Sequence, residues 1–208
     1  MNNLWSNVND CPCIDHILEA QNINGFEHPG GTDKQTLHSY GPVYENILMP
    51  LVGEESCSIL EIGVQHGGSI LLWNDLCSNA LIIGADIQDI VHPSIYERVD
   101  SSRVRFVMGD AYAEAVVNLV STLSEDGFDV IIDDGPHTLE SQCAFLTCYL
   151  EKLKPTGVAV IEDIQAPEWF DTLEAHVPAG FIAERVDRRH IKSRYDDLML
   201  IIKRASNG

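Results

Sequence analysis

Residues 59–69 read ILEIGVQHGGS, and their order decides the fold. Ser58–Ile62 is a short, nearly continuous apolar run of the kind that forms a fully buried strand. Gly63, Gly67 and Gly68 follow at once, and Ser69 is placed to N-cap an apolar helix from Ile70 to Leu76. A strand, a glycine turn and a helix in succession bring backbone N–H groups to the C-terminal edge of a parallel sheet, where ligands bind. Dinucleotide sites use the same device in the register G-x-G-x-x-G. Here those slots hold Gly63, Gln65 and Gly68, so the glycine that admits a pyrophosphate is missing. Glu61, just before the turn, would repel phosphate and suits a cationic ligand. Gly63, Gly68 and Ser69 are the loop's candidate ligand contacts.

From residue 57 onward the pattern alternates. Strands are expected at 57–62, 81–87, 104–109, 128–133 and 157–162, and helices at 70–76, 111–123, 138–153 and about 167–176. Continuous Ile, Val and Leu in the strands fit a parallel sheet covered on both faces. Right-handed crossovers then give an α/β, doubly wound, mostly parallel seven-stranded sheet. The runs 181–186 and 198–203 have no helical pattern between them and should pair antiparallel, which makes the last strand antiparallel. Residues 1–50 lie outside the alternation. They read as a helical and loop cap segment, with helices near 14–20 and 40–49 and turn chemistry at Gly30–Lys34, ahead of a main domain at 51–208.

Composition narrows the function. The 208 residues are 45% hydrophobic, enough for one domain with an appendage. Thirty-two acids against thirteen bases, a formal charge of −19, argue against nucleic acid. No apolar run reaches the roughly 18 residues of a membrane span. The start, MNNLWSNVNDCPC, has neither a basic nor an apolar leader region. Six cysteines show no zinc spacing and read as reduced thiols in a cytoplasm. One basic stretch stands out: Arg185, Arg188, Arg189, Lys192 and Arg194. It reads as a solvated loop or as a patch for an anionic group on the substrate.

Acids close the strands. Asp86, ending strand two about twenty residues past the glycine loop, suits bidentate bonding to ribose hydroxyls. Asp110, ending strand three, can accept from an exocyclic amine or cap the following helix. Strands four and five end in DVIIDDGPH (129–137) and GVAVIEDI (157–164), which brings Asp133, Asp134, Glu162 and Asp163 together. Such carboxylates repel unless protonated or bridged by a cation, and their oxygen ligands suit Mg²⁺, or Mn²⁺ or Ca²⁺. Asp133 can serve the cofactor instead of the metal. His137 can act as general base or simply cap the next helix.

Three segments, GTDKQTLHSYGPVYE (31–45), LEIGVQHGGS (60–69), and the pair IIDDGPH (131–137) and IEDI (161–164), carry a family likeness. The chain resembles class I S-adenosyl-L-methionine (SAM) methyltransferases with a Rossmann-like fold, in particular the metal-dependent sugar O-methyltransferases of the mycinamicin and macrocin group and the cephalosporin-hydroxylase-like proteins. The resemblance implies that Asp134, Glu162 and Asp163 bind the metal and that His137 takes the proton. It also implies that Thr32, Lys34 and Tyr40 fold over the SAM pocket. Pro136 departs from the serine usual before the histidine, and the first 50 residues are shorter than the extra domain of larger relatives. The reaction implied is O-methylation of a hydroxyl on a sugar or polyol-like small molecule. A catechol-like acceptor on the same fold, and a non-catalytic SAM-binding partner subunit, are the alternatives. Expected partners are that small molecule, with an anionic group if the basic stretch receives it, and other copies of the chain in a homo-oligomer. Nucleic acid and membrane are not expected.

Overall fold

The computed structural model describes residues 11–205. The leader reading of residues 1–10, and that part of the cap segment, lie outside the described residues. Seven strands form one sheet: β1 (Ser58–Ile62), β2 (Leu81–Asp86), β3 (Val104–Met108), β4 (Phe128–Asp133), β5 (Leu153–Ile161), β6 (Phe181–Asp187) and β7 (Leu198–Arg204). Their order is β3-β2-β1-β4-β5-β7-β6. The first five run parallel, and β7 lies antiparallel to both β5 and β6. The doubly wound α/β sheet with its antiparallel last strand is therefore as the pattern predicts. The switch point falls between β1 and β4, the place where an open α/β sheet leaves a crevice at its carboxyl edge.

Alternation along the strands divides the core into two layers. Ile59 and Ile82 face a layer built with α1 (Pro12–Gln21), α2 (Gly41–Leu48), α3 (Gly68–Leu76) and α4 (Pro93–Arg98). Leu60 and Ile83 face the layer built with α5 (Glu114–Leu123), α6 (Leu139–Tyr149) and α7 (Trp169–His176). The N-terminal segment is thus part of the first layer. Its helix α1 is capped from a distance, because Glu45 Oε2 accepts from the backbone N–H groups of Cys13 and Ile14 at 3.0 Å each. The six cysteines are free thiols. No helix among the described residues is long and apolar enough to cross a membrane.

Several boundaries differ from expectation. Ser69 does not cap α3. Gly67 does, at φ 88°, and Ser69 sits within the first turn. Helix α5 begins at Glu114 instead of 111, because Asp110 Oδ1 accepts from Tyr112 N–H at 3.0 Å and holds residues 110–112 in a turn. Helix α6 stops at Tyr149 and β5 starts at Leu153, four residues before the expected strand. Pro155 accounts for part of this, since it biases Lys154 toward extended backbone. Helix α4 was not expected. It opens on Pro93, with the His92 ring accepting from Ser94 N–H. A further turn, α8 (Arg189–Lys192), interrupts the stretch between the last two strands.

Candidate active site

The carboxyl ends of the strands enclose a cavity of about 590 Å³, within the roughly 300–1,000 Å³ of small-molecule sites. The glycine turn forms one wall. Gly63, at φ 85°, lies against the chain leaving β4, and a Cβ there would sit 1.8 Å from the Asp134 carbonyl oxygen. Gly68 lies against the Gly30–Gly31 backbone, where a Cβ would stand 2.4 Å from the Gly31 carbonyl carbon. Two glycine backbones in contact seat the loop of residues 22–40 on the turn after β1. Thr32 and Asp33 enter the wall in consequence. Phe26 and His66 meet edge to face at the rim, 6.4 Å between ring centroids.

Five carboxylates line the cavity: Asp33, Asp86, Asp110, Asp134 and Asp163. No lysine or arginine is among its lining residues. Asp86 already has three donors, since Oδ2 accepts from Val64 and Gln65 N–H (2.9 Å each) and Oδ1 from Gln88 N–H (3.0 Å). A carboxylate has about four acceptor sites, so Asp86 chiefly fixes the glycine turn and keeps room for one more donor. Asp110 is exposed on the wall.

The structure sets four of the expected cofactor contacts behind the wall. Glu61 shares the side of β1 that carries Ile59. It is fully buried under α3, where Trp73 Nε1–H donates to Oε2 at 2.9 Å. Asp133 lies one residue short of the crevice on the opposite layer, buried behind Tyr112, whose hydroxyl donates to Oδ1 at 2.6 Å. Tyr40 does not close over the cavity. Its hydroxyl donates to Asp163 Oδ1 at 2.6 Å and lies 3.0 Å from the Asp196 carbonyl oxygen. Lys34 is 2% exposed, and its Nζ reaches Glu162 Oε2 at 2.7 Å, Asp134 Oδ2 at 2.8 Å and Glu61 Oε1 at 3.2 Å. Burial works against the Lys34 ammonium, but the charges of Asp134, Glu162 and Glu61 outweigh it and hold its pKa up.

Asp134, His137 and Asp163 come together in the cavity wall, each offering one ligand atom within 4.8 Å of the others. His137 Nε2 stands 3.7 Å from both Asp134 Oδ1 and Asp163 Oδ2. Both His137 (φ 54°) and Asp163 (φ 51°) adopt left-handed backbone, a conformation that costs non-glycine residues about 1–3 kcal/mol and gathers at functional sites. The turn at His137 brings the ring back into the cleft after Pro136. The helix cap belongs to Thr138, which forms a capping box with Ser141. Glu162 stands apart from this group, with Oε1 taking the Tyr44 hydroxyl and Oε2 taking Lys34. Burial, reinforced by the Asp134 charge, raises the Asp163 carboxyl to about 6. Sequence reasoning missed Asp33 and Tyr112 in the wall. Asp33 stands inside the TDK triplet, and Tyr112 follows Asp110 by two, but nothing local marks either as facing a ligand.

Each base of the late basic stretch has a partner. Arg185 pairs with Asp171 and Glu174, Arg189 with Asp187, and Arg194 with Asp196. Arg188 is buried against Ser39, and Lys192 donates to the carbonyls of Gln35, Thr36 and His38. Through Arg188 and Lys192 the stretch clasps the loop that leads into α2.

A family model described as a methyltransferase domain matches residues 60–164. The chain belongs to that methyltransferase domain family. It is similar to 8-demethyl-8-alpha-L-rhamnosyl tetracenomycin-C 2'-O-methyltransferase of Streptomyces olivaceus, 27% identical over 201 residues, covering 86% of this chain and 50% of the relative. It is also similar to demethylmacrocin O-methyltransferase of Streptomyces fradiae, 30% identical over 141 residues, covering 64% and 34%. The chain thus spans half of the first relative and about a third of the second. Among solved structures, the methyltransferase MycE of mycinamycin biosynthesis, in complex with Mg, SAH and mycinamycin VI, superposes with a TM-score of 0.66 at 19% identity, over 96% of this chain and 57% of that one. An O-methyltransferase from Bacillus cereus in complex with SAH gives 0.63 at 16% identity, over 93% and 90%. Likeness at this identity establishes the methyltransferase fold.

Burial, with the Asp134 charge added and the Tyr112 hydroxyl opposing, raises Asp133 to about 7. In the unfolded chain an aspartate titrates near 3.9. Between those values the folded methyltransferase domain binds the extra proton, so the contribution of this carboxyl to stability is full at the acid end and is lost as pH rises to about 7. Replacing Asp133 by Asn should remove this slope, which approaches about 1.4 kcal/mol per pH unit. Urea denaturation at stepped pH measures it. A slope equal in the native protein and Asp133→Asn would reassign the loss to other groups.

Proposed function

We propose that this chain binds S-adenosyl-L-methionine and transfers its methyl group to a hydroxyl of a sugar or polyol-like small molecule, assisted by a divalent ion, Mg²⁺ first among the candidates. The observation that carries the reading is the cavity wall of five aspartates without a lysine or arginine. That wall favours a ligand bearing a sulfonium and an ammonium and disfavours a pyrophosphate. The relative named as a 2'-O-methyltransferase of an α-L-rhamnosyl tetracenomycin-C supports a sugar hydroxyl as acceptor.

In this reading Thr32, Gly63, Gly68 and Ser69 frame the cofactor, while Asp86 stiffens the turn and Asp110 offers an acceptor at the far end. Asp134 and Asp163 would hold the ion, with Glu162 kept one layer back by Lys34 and Tyr44. Two carboxylates beside an imidazole fit an oxygen-seeking ion and leave the nitrogen for acid–base work. When bound, such an ion lowers the pKa of a coordinated hydroxyl. His137, between the two carboxylates, takes the hydroxyl proton as oxygen attacks the sulfonium methyl in line, and the S–CH3 bond breaks to release S-adenosylhomocysteine. Fixed geometry accounts for most of the remaining rate. Of the N-terminal segment, the loop of residues 22–40 acts as the cap of this site, and the domain that begins at residue 51 carries the chemistry.

S-adenosylhomocysteine at a hundredfold excess over its Kd should raise the melting temperature by about 5–10 °C, and NAD should not. Stabilisation by NAD alone would overturn the reading. Parallel assays on sugar and catechol acceptors decide between those classes.

A further inference from the structure

The ammonium of Lys34 occupies the junction between the acids that end β4 and β5. It has three N–H donors and three carboxylates around it, and it is closed off from solvent. Its contact on Asp134 is with Oδ2, while Oδ1 of the same carboxylate faces His137 and the cavity. One carboxylate is therefore shared between a permanent monovalent cation and the place where a divalent ion would be held. Tyr44 and Tyr40 tie down Glu162 and Asp163 in turn. Lys34 hydrogen-bonds Asp134 and Glu162, and Glu61 Oε1 completes the charge balance as an ion-pair neighbour at 3.2 Å.

We propose that Lys34 is a built-in counter-cation, a positioning residue that keeps the acids of the site assembled without an ion and holds the affinity for a divalent ion down. The inference rests on the metal-assisted reading above. Like charges several ångströms apart in a poorly screened interior repel strongly, so a fixed ammonium on one side of Asp134 opposes a divalent cation on the other. The ion at such a site is loosely held and exchanges freely. A lysine that only orients ligands would have the reverse effect, because its loss would loosen them and weaken the ion.

The test is a Mn²⁺ titration of the full chain by electron paramagnetic resonance at fixed pH, with melting temperature measured in chelator and in Mn²⁺. Lys34→Met should melt lower than the native protein in chelator, bind Mn²⁺ at least tenfold more tightly, and regain more stability on adding it. Lys34→Gln, which keeps one amide donor, gives the same measurement if the methionine variant does not fold. Mn²⁺ affinity unchanged or weakened in the neutral variants, with the native protein still binding, overturns the inference and leaves the proposed function standing. Failure of the native protein and the variants alike to bind Mn²⁺ overturns both.

Discussion

Replacing His137 by asparagine is expected to slow methyl transfer by about 10²–10⁴-fold, the usual size of a general-base contribution. Asparagine is the informative substitution because it tolerates the left-handed backbone at this position (φ 54°), so the loop keeps its course and only the imidazole is lost. Binding of S-adenosylhomocysteine should be nearly unchanged, since the ring is a third exposed and lies at one end of the cavity. Single-turnover rates with a sugar acceptor measure the effect. Near-native turnover in His137→Asn would remove His137 from the chemistry and direct attention to His66, the other histidine in the wall.

Asp163→Asn should lower turnover by about 10²-fold or more. A metal acting as Lewis acid supplies several kcal/mol of charge stabilisation, and each 1.36 kcal/mol is tenfold in rate. The asparagine oxygen still accepts from the Tyr40 hydroxyl, so the backbone at residue 163 keeps its anchor. The residual activity should be the same in EDTA and in Mg²⁺, whereas native turnover should vanish in chelator and return with the ion. A variant that keeps both its rate and its response to Mg²⁺ would show that Asp163 is not part of an ion site. The chelator arm separates this from loss of the cofactor site, because S-adenosylhomocysteine should still raise the melting temperature of Asp163→Asn.

Much of the site was legible in one dimension. Strand ends are where apolar runs stop, and parallel strands stop at the same edge. Acids written at the ends of such runs or just after them, Asp86, Asp110, Asp134 and Asp163, therefore meet at the crevice. Glu61 and Asp133 show where that rule runs out. Glu61 lies inside β1 and Asp133 is the last residue of β4, and alternation turns each side chain into a packed layer. The parity of Glu61 with Ile59 was readable. That Trp73 would descend on it from α3 was not.

Local pattern alone determined the doubly wound sheet, its antiparallel last strand and the ligand edge, because buried strands, glycine turns and helix periodicity are set by residues a few positions apart. Tertiary structure decided the roles of the 31–45 segment. Lys34 meets partners 100 and 128 residues away, and Tyr40 and Tyr44 meet theirs at 123 and 118. Which of several carboxylates receives a buried donor depends on how the N-terminal loop is seated, and that is set by the contact of Gly31 with Gly68. An ammonium placed among three acids is stable only in the assembled interior, where each partner removes the cost of burying the others. No short window of sequence contains that balance.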